Sequence, residues 1–266
     1  MNPRSALMNV MFKAASKAAK SLVRDFGEVE NLQVSRKGPG DFVSTADLNA
    51  QNIIREELSK ARPEFGFLME EKDGAPDTSA KPERWIVDPL DGTTNFLHGI
   101  GHWAISMAAE RNGEIIAGLI VDPIKNESFW AEKGTGAYTD RKRLRVSGRK
   151  DLADCVIGTG APFKGVMHKR PNFSKQLAAV MPQVAGIRRM GAAALDLAYV
   201  AAGRFDGFWE EGLGPWDSAA GSLLIKEAGG FVAPIVPKQD PIHSGSIIVS
   251  NIEIHDKLIA LIRGTA

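Results

Sequence analysis

Trp85-Ile86-Val87-Asp88-Pro89-Leu90-Asp91-Gly92-Thr93-Thr94-Asn95-Phe96 is the most informative stretch of the chain. An apolar strand, Trp85 to Asp88, runs straight into two carboxylates, a glycine and two hydroxyls. Carboxylates at the end of a buried strand seldom serve packing. Pro89 is expected to halt the strand ladder and Gly92 to let the backbone turn tightly, so that Asp88 and Asp91 converge while Thr93 and Thr94 begin a helix. A divalent cation shared by the two aspartates could then face a phosphate held on the free amides of the helix start. The competing reading is a plain turn and cap, since Asp-Gly is a common turn dipeptide and Asp91 and Thr93 are ordinary capping types. It leaves Asp88 as an unpaired carboxylate at the end of an apolar strand, which is costly. Glu70 and Glu71 follow the strand-like run Phe65 to Met69. If that run pairs with Trp85 to Asp88, both glutamates arrive beside Asp88; otherwise they belong to a solvated loop.

Outward from this stretch the elements can be read in turn. Towards the N-terminus, Leu7, Met11, Ala14, Ala18 and Leu22 recur at helical spacing and give a first helix ending near Gly27. A second helix starts after Ser44 or Thr45, carries Ala46, Ile53, Ile54 and Leu58, and is closed by Pro63. Towards the C-terminus, Ala104 to Glu110, Ile115 to Val121 and Ser128 to Ala131 form a meander, with a hairpin at Asn112-Gly113 and a break at Asp122-Pro123. After about residue 150 strands and helices alternate. Cys155 to Thr159, Ile187 to Arg189, Phe205 to Trp209 and Ile247 to Ser250 read as strands. Phe173 to Met181, Ala192 to Ala202, Trp216 to Ala228 and Ile254 to Ile262 read as helices, the third stopped by Gly229-Gly230. The fold class is therefore mixed α and β: two sheets layered with helices, the first antiparallel and the second mixed. The expected division is residues 1–150, an α+β half with the first motif, and residues 151–266, an α/β half, packed intimately as one functional unit.

Composition narrows the function classes. With 44% hydrophobic and 24% charged residues the chain is globular, and its net charge of +1 lacks the basic excess of a nucleic-acid binder, so no direct nucleic-acid partner is expected. The single cysteine, Cys155, sits in an apolar run, which fits a buried core thiol and a reducing cytoplasm. No apolar run approaches the roughly 20 residues of a membrane span, so no membrane partner is expected. Residues 1–24 carry Arg4, Arg24 and three lysines with no acid before Asp25, a composition shared with organelle-targeting segments, although the periodicity favours an amphipathic first helix. His98 and His102 are four positions apart, but Gly99 and Gly101 argue against a shared helix face and hence against a metal pair. Of Arg188 and Arg189, at most one can point inward from a strand, and Arg141 to Arg145 reads as a basic surface turn.

Asp88 to Phe96 resembles the first signature of the inositol monophosphatase family. A second signature, Trp216-Asp217-Ser218-Ala219-Ala220-Gly221 followed by Glu227-Ala228-Gly229-Gly230, resembles that family's Trp-Asp helix start and Gly-Gly exit. Lys37-Gly38, Asp41-Phe42-Val43-Ser44 and Asp47 resemble the segment ahead of its second helix, so the likeness extends over essentially the whole chain. The resemblance implies the layered αβαβα sandwich of the sugar phosphatase fold and hydrolysis of a small phosphate monoester, inositol monophosphate first. It implies two Mg2+ ions, with a third often attributed to such sites: Glu70, Asp88 and the Leu90 carbonyl on one, Asp88, Asp91 and Asp217 on the other. The catalytic set would be Glu70, Thr93 and Asp91, with Thr93 and Glu70 orienting and deprotonating the attacking water. Gly92, Thr93 and Thr94 would bind phosphate; Ala193, Glu210 and Asp217 would complete the substrate site, with Gly191 and Ala192 in the adjacent loop. Lithium sensitivity and a homodimer are implied as well. Two departures stand out. Met69-Glu70-Glu71-Lys72 replaces the family's usual Gly-Glu-Glu, and Gly191-Ala192-Ala193 replaces Gly-Thr-Ala, removing a hydroxyl. Two other readings stay open: a different alcohol (histidinol phosphate, NADP or fructose 1,6-bisphosphate), or a regulator that binds transcription or ribosome-assembly factors.

Overall fold

The computed structural model describes residues 4–28, 34–38, 41–71, 78, 80–139, 142–163, 168 and 170–264. Helix α1 (Ala6–Phe26) starts on Ser5, whose Oγ accepts from Met8 N at 3.1 Å. A short hairpin, β1 (Val34–Gly38) and β2 (Asp41–Ser44), then leads into α2 (Thr45–Ala61). Ser44 and Asp47 form a capping box at that junction, satisfying amides at both sides of the helix start.

The first sheet follows: β3 (Gly66–Met69), β4 (Glu83–Asp91), the short helix α3 (Thr93–Leu97), β5 (Ala104–Arg111), β6 (Glu114–Asp122), β7 (Glu127–Glu132) and β8 (Gly136–Thr139). The strands lie side by side in chain order, all antiparallel except that β3 pairs parallel with β4. Asn112 and Gly113, both at positive φ, make the tight turn between β5 and β6. The second half supplies β9 (Val156–Thr159), α4 (Phe173–Val180), β10 (Gly186–Arg188), α5 (Ala193–Ala201), β11 (Gly207–Glu211), α6 (Pro215–Glu227), β12 (Phe231–Pro234), β13 (Ser246–Ser250) and α7 (His255–Arg263). Their sheet runs β10-β9-β11-β13-β12, parallel on one side of β11 and antiparallel on the other.

Strand alternation dictates the layering. Trp85 and Val87 of β4 pack with Met8, Met11, Leu22, Ile54 and Leu58 of α1 and α2, whereas Ile86 between them faces α5 and α6. On the second sheet Phe208, Ile247 and Val249 face α5 and α6, while Trp209 and Ile248 face Val180 of α4 and Leu258 and Ile262 of α7. The order is thus helices, sheet, helices, sheet, helices, with α5 and α6 in the middle layer. Because neighbouring side chains of a strand point to opposite faces, each sheet can be apolar on both.

Three details differ from the sequence reading. Pro89 does not halt the ladder: β4 continues to Asp91, and its register against β5 shifts by one residue between Asp88 and Asp91. Proline is tolerated there because a bulge leaves a residue outside the ladder. The first sheet carries the one parallel pair just described. The hairpin β1–β2 and strands β8 and β12 have no counterpart in the sequence reading; each is five residues or fewer. Lys72 and Arg141 lie outside the described residues.

Candidate active site

The bulge in β4 builds the site. Asp88 stands opposite Ser106 and Asp91 opposite Ala104. Three positions apart on a regular strand, the two aspartates would face opposite sides of the sheet; the extra residue returns both to one side. That side is the one α6 covers, since Ser106 Oγ donates to the Trp216 carbonyl at 2.9 Å. Asp217 is the next residue, in the first turn of α6. Asp88, Asp91 and Asp217 each present an oxygen within 4.8 Å of the others. Glu70 joins them from the end of β3: its N–H donates to the Val87 carbonyl at 3.1 Å, and its carboxyl reaches Asp88. Glu71 follows, its backbone tied to the Gln51 amide at 2.9 and 3.2 Å.

Each aspartate is aimed by a backbone amide. Asp88 Oδ1 accepts from Leu90 N at 2.8 Å, Asp91 Oδ2 from Ala194 N at 2.8 Å and Asp217 Oδ2 from Gly214 N at 2.7 Å. The Asp91 bond crosses between the two halves of the chain and caps the start of α5. Burial raises the Asp88 carboxyl well above the usual range, and Glu70, Asp91 and Asp217 raise it further by repulsion. Asp91 is raised well above its usual range by burial and by Asp217, with the Ala194 amide opposing. Burial and then Glu70 push Asp217 up to about 7. Buried like charges of this kind call for a cation, and donors that are all carboxylate oxygens fit a hard divalent ion.

Beside this cluster Gly92 turns the chain at φ +91° into α3. A left-handed φ alone favours glycine there, and a Cβ would also meet Ala192 Cβ at 3.2 Å and the Gly191 carbonyl at 3.3 Å. The Gly92-Thr93-Thr94 loop is thereby packed directly on the Gly191-Ala192-Ala193 loop. Asn95 Nδ2 fastens them, donating to the His102 carbonyl at 2.8 Å and to the Met190 carbonyl at 2.9 Å. Thr93 Oγ1 lies 3.1 Å from both Asp47 Oδ1 and the Leu90 carbonyl. Burial raises the Asp47 carboxyl, with the Ser44 hydrogen bonds opposing.

A cavity of about 330 Å3 opens from Asp91, Thr93 and Asp217 towards Glu210 and Leu213. At its far end Glu210, on β11, is buried and paired with buried Arg170, Nη2 to Oε1 2.6 Å. Gly160 makes room for this carboxylate, because a Cβ at that position would overlap it. Burial raises Glu210, and Arg170 opposes the rise. Arg189 and Asp196 also line the cavity.

Every residue expected at the site thus falls in this one region: Glu70, Asp88, Leu90, Asp91 and Asp217 at the carboxylate cluster, Gly92, Thr93 and Thr94 beside it, Gly191, Ala192 and Ala193 on the opposing loop, and Glu210 at the far end. Several residues of the site have no assigned role in the sequence reading. Asp47 enters there only as part of a motif. Of the two candidates Arg188 and Arg189, Arg189 is the one that lines the cavity. Asp196 carried a usable signal as the one charged residue of α5. Arg170 carried none. His98 is exposed and His102 buried, with burial and then Lys125 lowering His102 to about 4. Among the described residues the group able to hold a metal is Asp88, Asp91 and Asp217. Cys155 is a buried thiol, raised by burial to about 11, and takes no part in the site. No helix among the described residues is long and apolar enough to cross a membrane.

Comparison with known proteins gives consistent results. The model of the inositol monophosphatase family matches residues 4–265. An inositol-1-monophosphatase of Mesorhizobium japonicum is 57% identical over 260 residues, covering 98% of this chain and 97% of the relative. The Nus factor SuhB of Pseudomonas aeruginosa is 39% identical over 259 residues, 97% and 96% of the two chains. Among solved structures, the extragenic suppressor protein suhB of Bartonella henselae superimposes with a TM-score of 0.93 at 54% identity, covering 98% of this chain and all of its own.

Proposed function

The chain belongs to the inositol monophosphatase family, and from that membership we propose that it hydrolyses inositol monophosphate to inositol and phosphate, using Mg2+ held by Glu70, Asp88, Asp91, Asp217 and the Leu90 carbonyl. That it is a phosphoric monoester hydrolase follows from the family itself. The observation that carries the finer reading is one cavity with buried oxygen ligands at one end and a buried, oriented Glu210 at the other. The phosphate would lie against the first and the polyol against the second.

In this assignment Glu70, Asp88 and the Leu90 carbonyl would hold one ion and Asp88, Asp91 and Asp217 a second, with a third, weaker ion possible at such a site. Two such ions supply a water made nucleophilic at neutral pH and a counter-charge for the leaving oxygen. The protein positions the rest. Thr93, held between Asp47 and the Leu90 carbonyl, orients the attacking water, whose proton passes to Glu70 or through Thr93 to Asp47. The new P–O bond forms as the ester P–O bond breaks on the opposite side, and the departing alkoxide takes a proton from water. No phosphorylated enzyme is formed. Gly92 and Thr94 bind the phosphate oxygens, the Gly191-Ala192-Ala193 loop walls the site, and Ala193 and Glu210 contact the alcohol. Residues 1–150 and 151–266 act as one unit, because Asp91 of the first is aimed by Ala194 of the second. Lithium inhibition, a homodimer and a cytoplasmic location belong to the same proposal.

Phosphate release from inositol 1-phosphate, histidinol phosphate, fructose 1,6-bisphosphate and NADP, with Mg2+ or with EDTA, tests it. The expected result is Mg2+-dependent preference for inositol 1-phosphate. Preference for another ester replaces the substrate, and EDTA-resistant turnover removes the metal. The relative named Nus factor SuhB favours a second, regulatory reading, in which this chain binds a transcription or ribosome-assembly factor. Its lower identity, 39% against 57% for the inositol-1-monophosphatase, favours the enzyme.

A further inference from the structure

Asp196 is unexplained by everything above. It is 1% exposed in the first turn of α5, yet it lines the cavity, and its Oδ1 has no hydrogen-bond partner. A buried carboxyl group with an unpartnered oxygen is costly in a folded protein, so one in the wall of a cavity marks a group that a ligand satisfies. A second atom shares the condition: Arg170 Nε is buried and unpartnered in the same wall, while Arg170 Nη2 holds Glu210. Glu210 and Asp91 both repel the Asp196 carboxylate, and Arg189 offsets part of that repulsion. This part of the cavity therefore gathers Asp196, Glu210, Arg170 and Arg189 with Asp91 close by, and has hydrogen-bonding capacity left over.

We propose that Asp196 is a further specificity-determining residue, whose carboxyl group hydrogen-bonds a hydroxyl of the alcohol distinct from the one at Glu210. This deepens, and rests on, the reading of the cavity as a polyol phosphate site. Two separated carboxyl groups need an alcohol with at least two hydroxyls. The substrate class is thus a polyhydroxylated phosphate monoester.

The test compares kcat/KM for inositol 1-phosphate with kcat/KM for p-nitrophenyl phosphate, an ester without hydroxyls, in the Mg2+-loaded full chain. Removing a hydrogen-bonding partner of a substrate hydroxyl lowers that ratio by about 5- to 100-fold, and this is expected for Asp196→Ala, with part of the ratio recovered in Asp196→Asn. A parallel fall for both esters, leaving the ratio at the wild-type value, makes Asp196 a structural residue and overturns the proposal. Should Asp196→Ala fail to fold by circular dichroism, Asp196→Ser carries the same comparison with the same two outcomes. The wild-type rates judge the underlying reading separately. If a different polyhydroxylated ester is preferred, inositol is wrong and the Asp196 ratio is measured on that ester. If the wild type favours p-nitrophenyl phosphate over every polyol ester, or hydrolyses none, both readings fall.

Discussion

The two ends of the cavity solve opposite electrostatic problems. At the Asp88 end four carboxylates converge and repel one another, Asp88 and Asp91 buried and Glu70 and Asp217 half-buried, and each aspartate is aimed by a backbone amide. At the Glu210 end each carboxyl has a guanidinium nearby, Arg170 for Glu210 and Arg189 for Asp196. The first end is incomplete without a cation. The second is held by its own ion pair and lacks only partners for Asp196 Oδ1 and Arg170 Nε. A buried cluster of one sign lowers stability in exchange for ligand affinity, whereas a balanced pair adds orientation at little electrostatic cost.

The largest expected effect follows from that asymmetry. Asp217→Asn keeps a side-chain oxygen for the Gly214 amide, so α6 remains capped, but it removes a charge from the cluster. Loss of one ligand charge to the catalytic ions should lower kcat/KM by roughly a thousandfold or more. The metal-free variant should nevertheless melt higher than metal-free wild type at pH 8, because a repelling charge has gone. Near-wild-type turnover would break the contrast between the two ends. The second effect is its pH signature. A carboxyl raised from its ordinary value of 3.8 to about 7 binds its proton more tightly in the folded state. The metal-free protein therefore loses stability as pH rises from about 4 to about 7, and the loss is fully present above that. For Asp217 alone this amounts to roughly 4 kcal/mol at most. Mg2+ should accordingly raise the melting temperature more at pH 8 than at pH 5, as calorimetry at both pH values would read; an equal shift at both would contradict the assignment.

How legible each end was in the sequence follows from how it is built. The Asp88 end comes from contiguous runs, Asp88 to Thr94 and Trp216-Asp217, whose residue types are odd for a strand end or helix start and so announce themselves. Even there the convergence is not the work of a ladder stopped at Pro89, since β4 runs on to Asp91. It comes instead from a one-residue bulge, a register property that depends on β5 and that no single strand displays. The Glu210 end is scattered over Gly160, Arg170, Arg189, Asp196 and Glu210, and Gly160 and Arg170 are unremarkable locally. Arg170 matters only because folding lays it on Glu210, and Gly160 only because the carboxylate needs its missing Cβ. The layer order was legible because long helices and alternating strands report their own faces. The short strands β1, β2, β8 and β12 were not, since five residues or fewer carry too little periodicity.

Arg170 tests whether the far end is self-sufficient. Arg170→Ala removes the partner of a buried Glu210, which should then take up a proton or swing from its place. Loss of an oriented acceptor should cost about tenfold in kcat/KM for inositol 1-phosphate, mostly in KM, since the alcohol is remote from phosphorus. The loss should be smallest at acidic pH, where Glu210 is protonated with or without its partner. A defect of equal size in kcat for p-nitrophenyl phosphate would mean that Arg170 serves the phosphate end instead.

The smallest effect probes the join. Asn95 holds the Gly92 loop to the Gly191 loop through the His102 and Met190 carbonyls, touching neither the carboxylate cluster nor Glu210. Asn95→Ala leaves two buried carbonyls without their donor, which costs about 1–3 kcal/mol of stability. Both loops should loosen together, so kcat/KM should fall by the same few-fold factor for inositol 1-phosphate and for p-nitrophenyl phosphate. An effect confined to the polyol ester would show that the Gly191 loop acts on the alcohol alone, and the two ends would then be independent sites rather than one cavity braced by a shared amide.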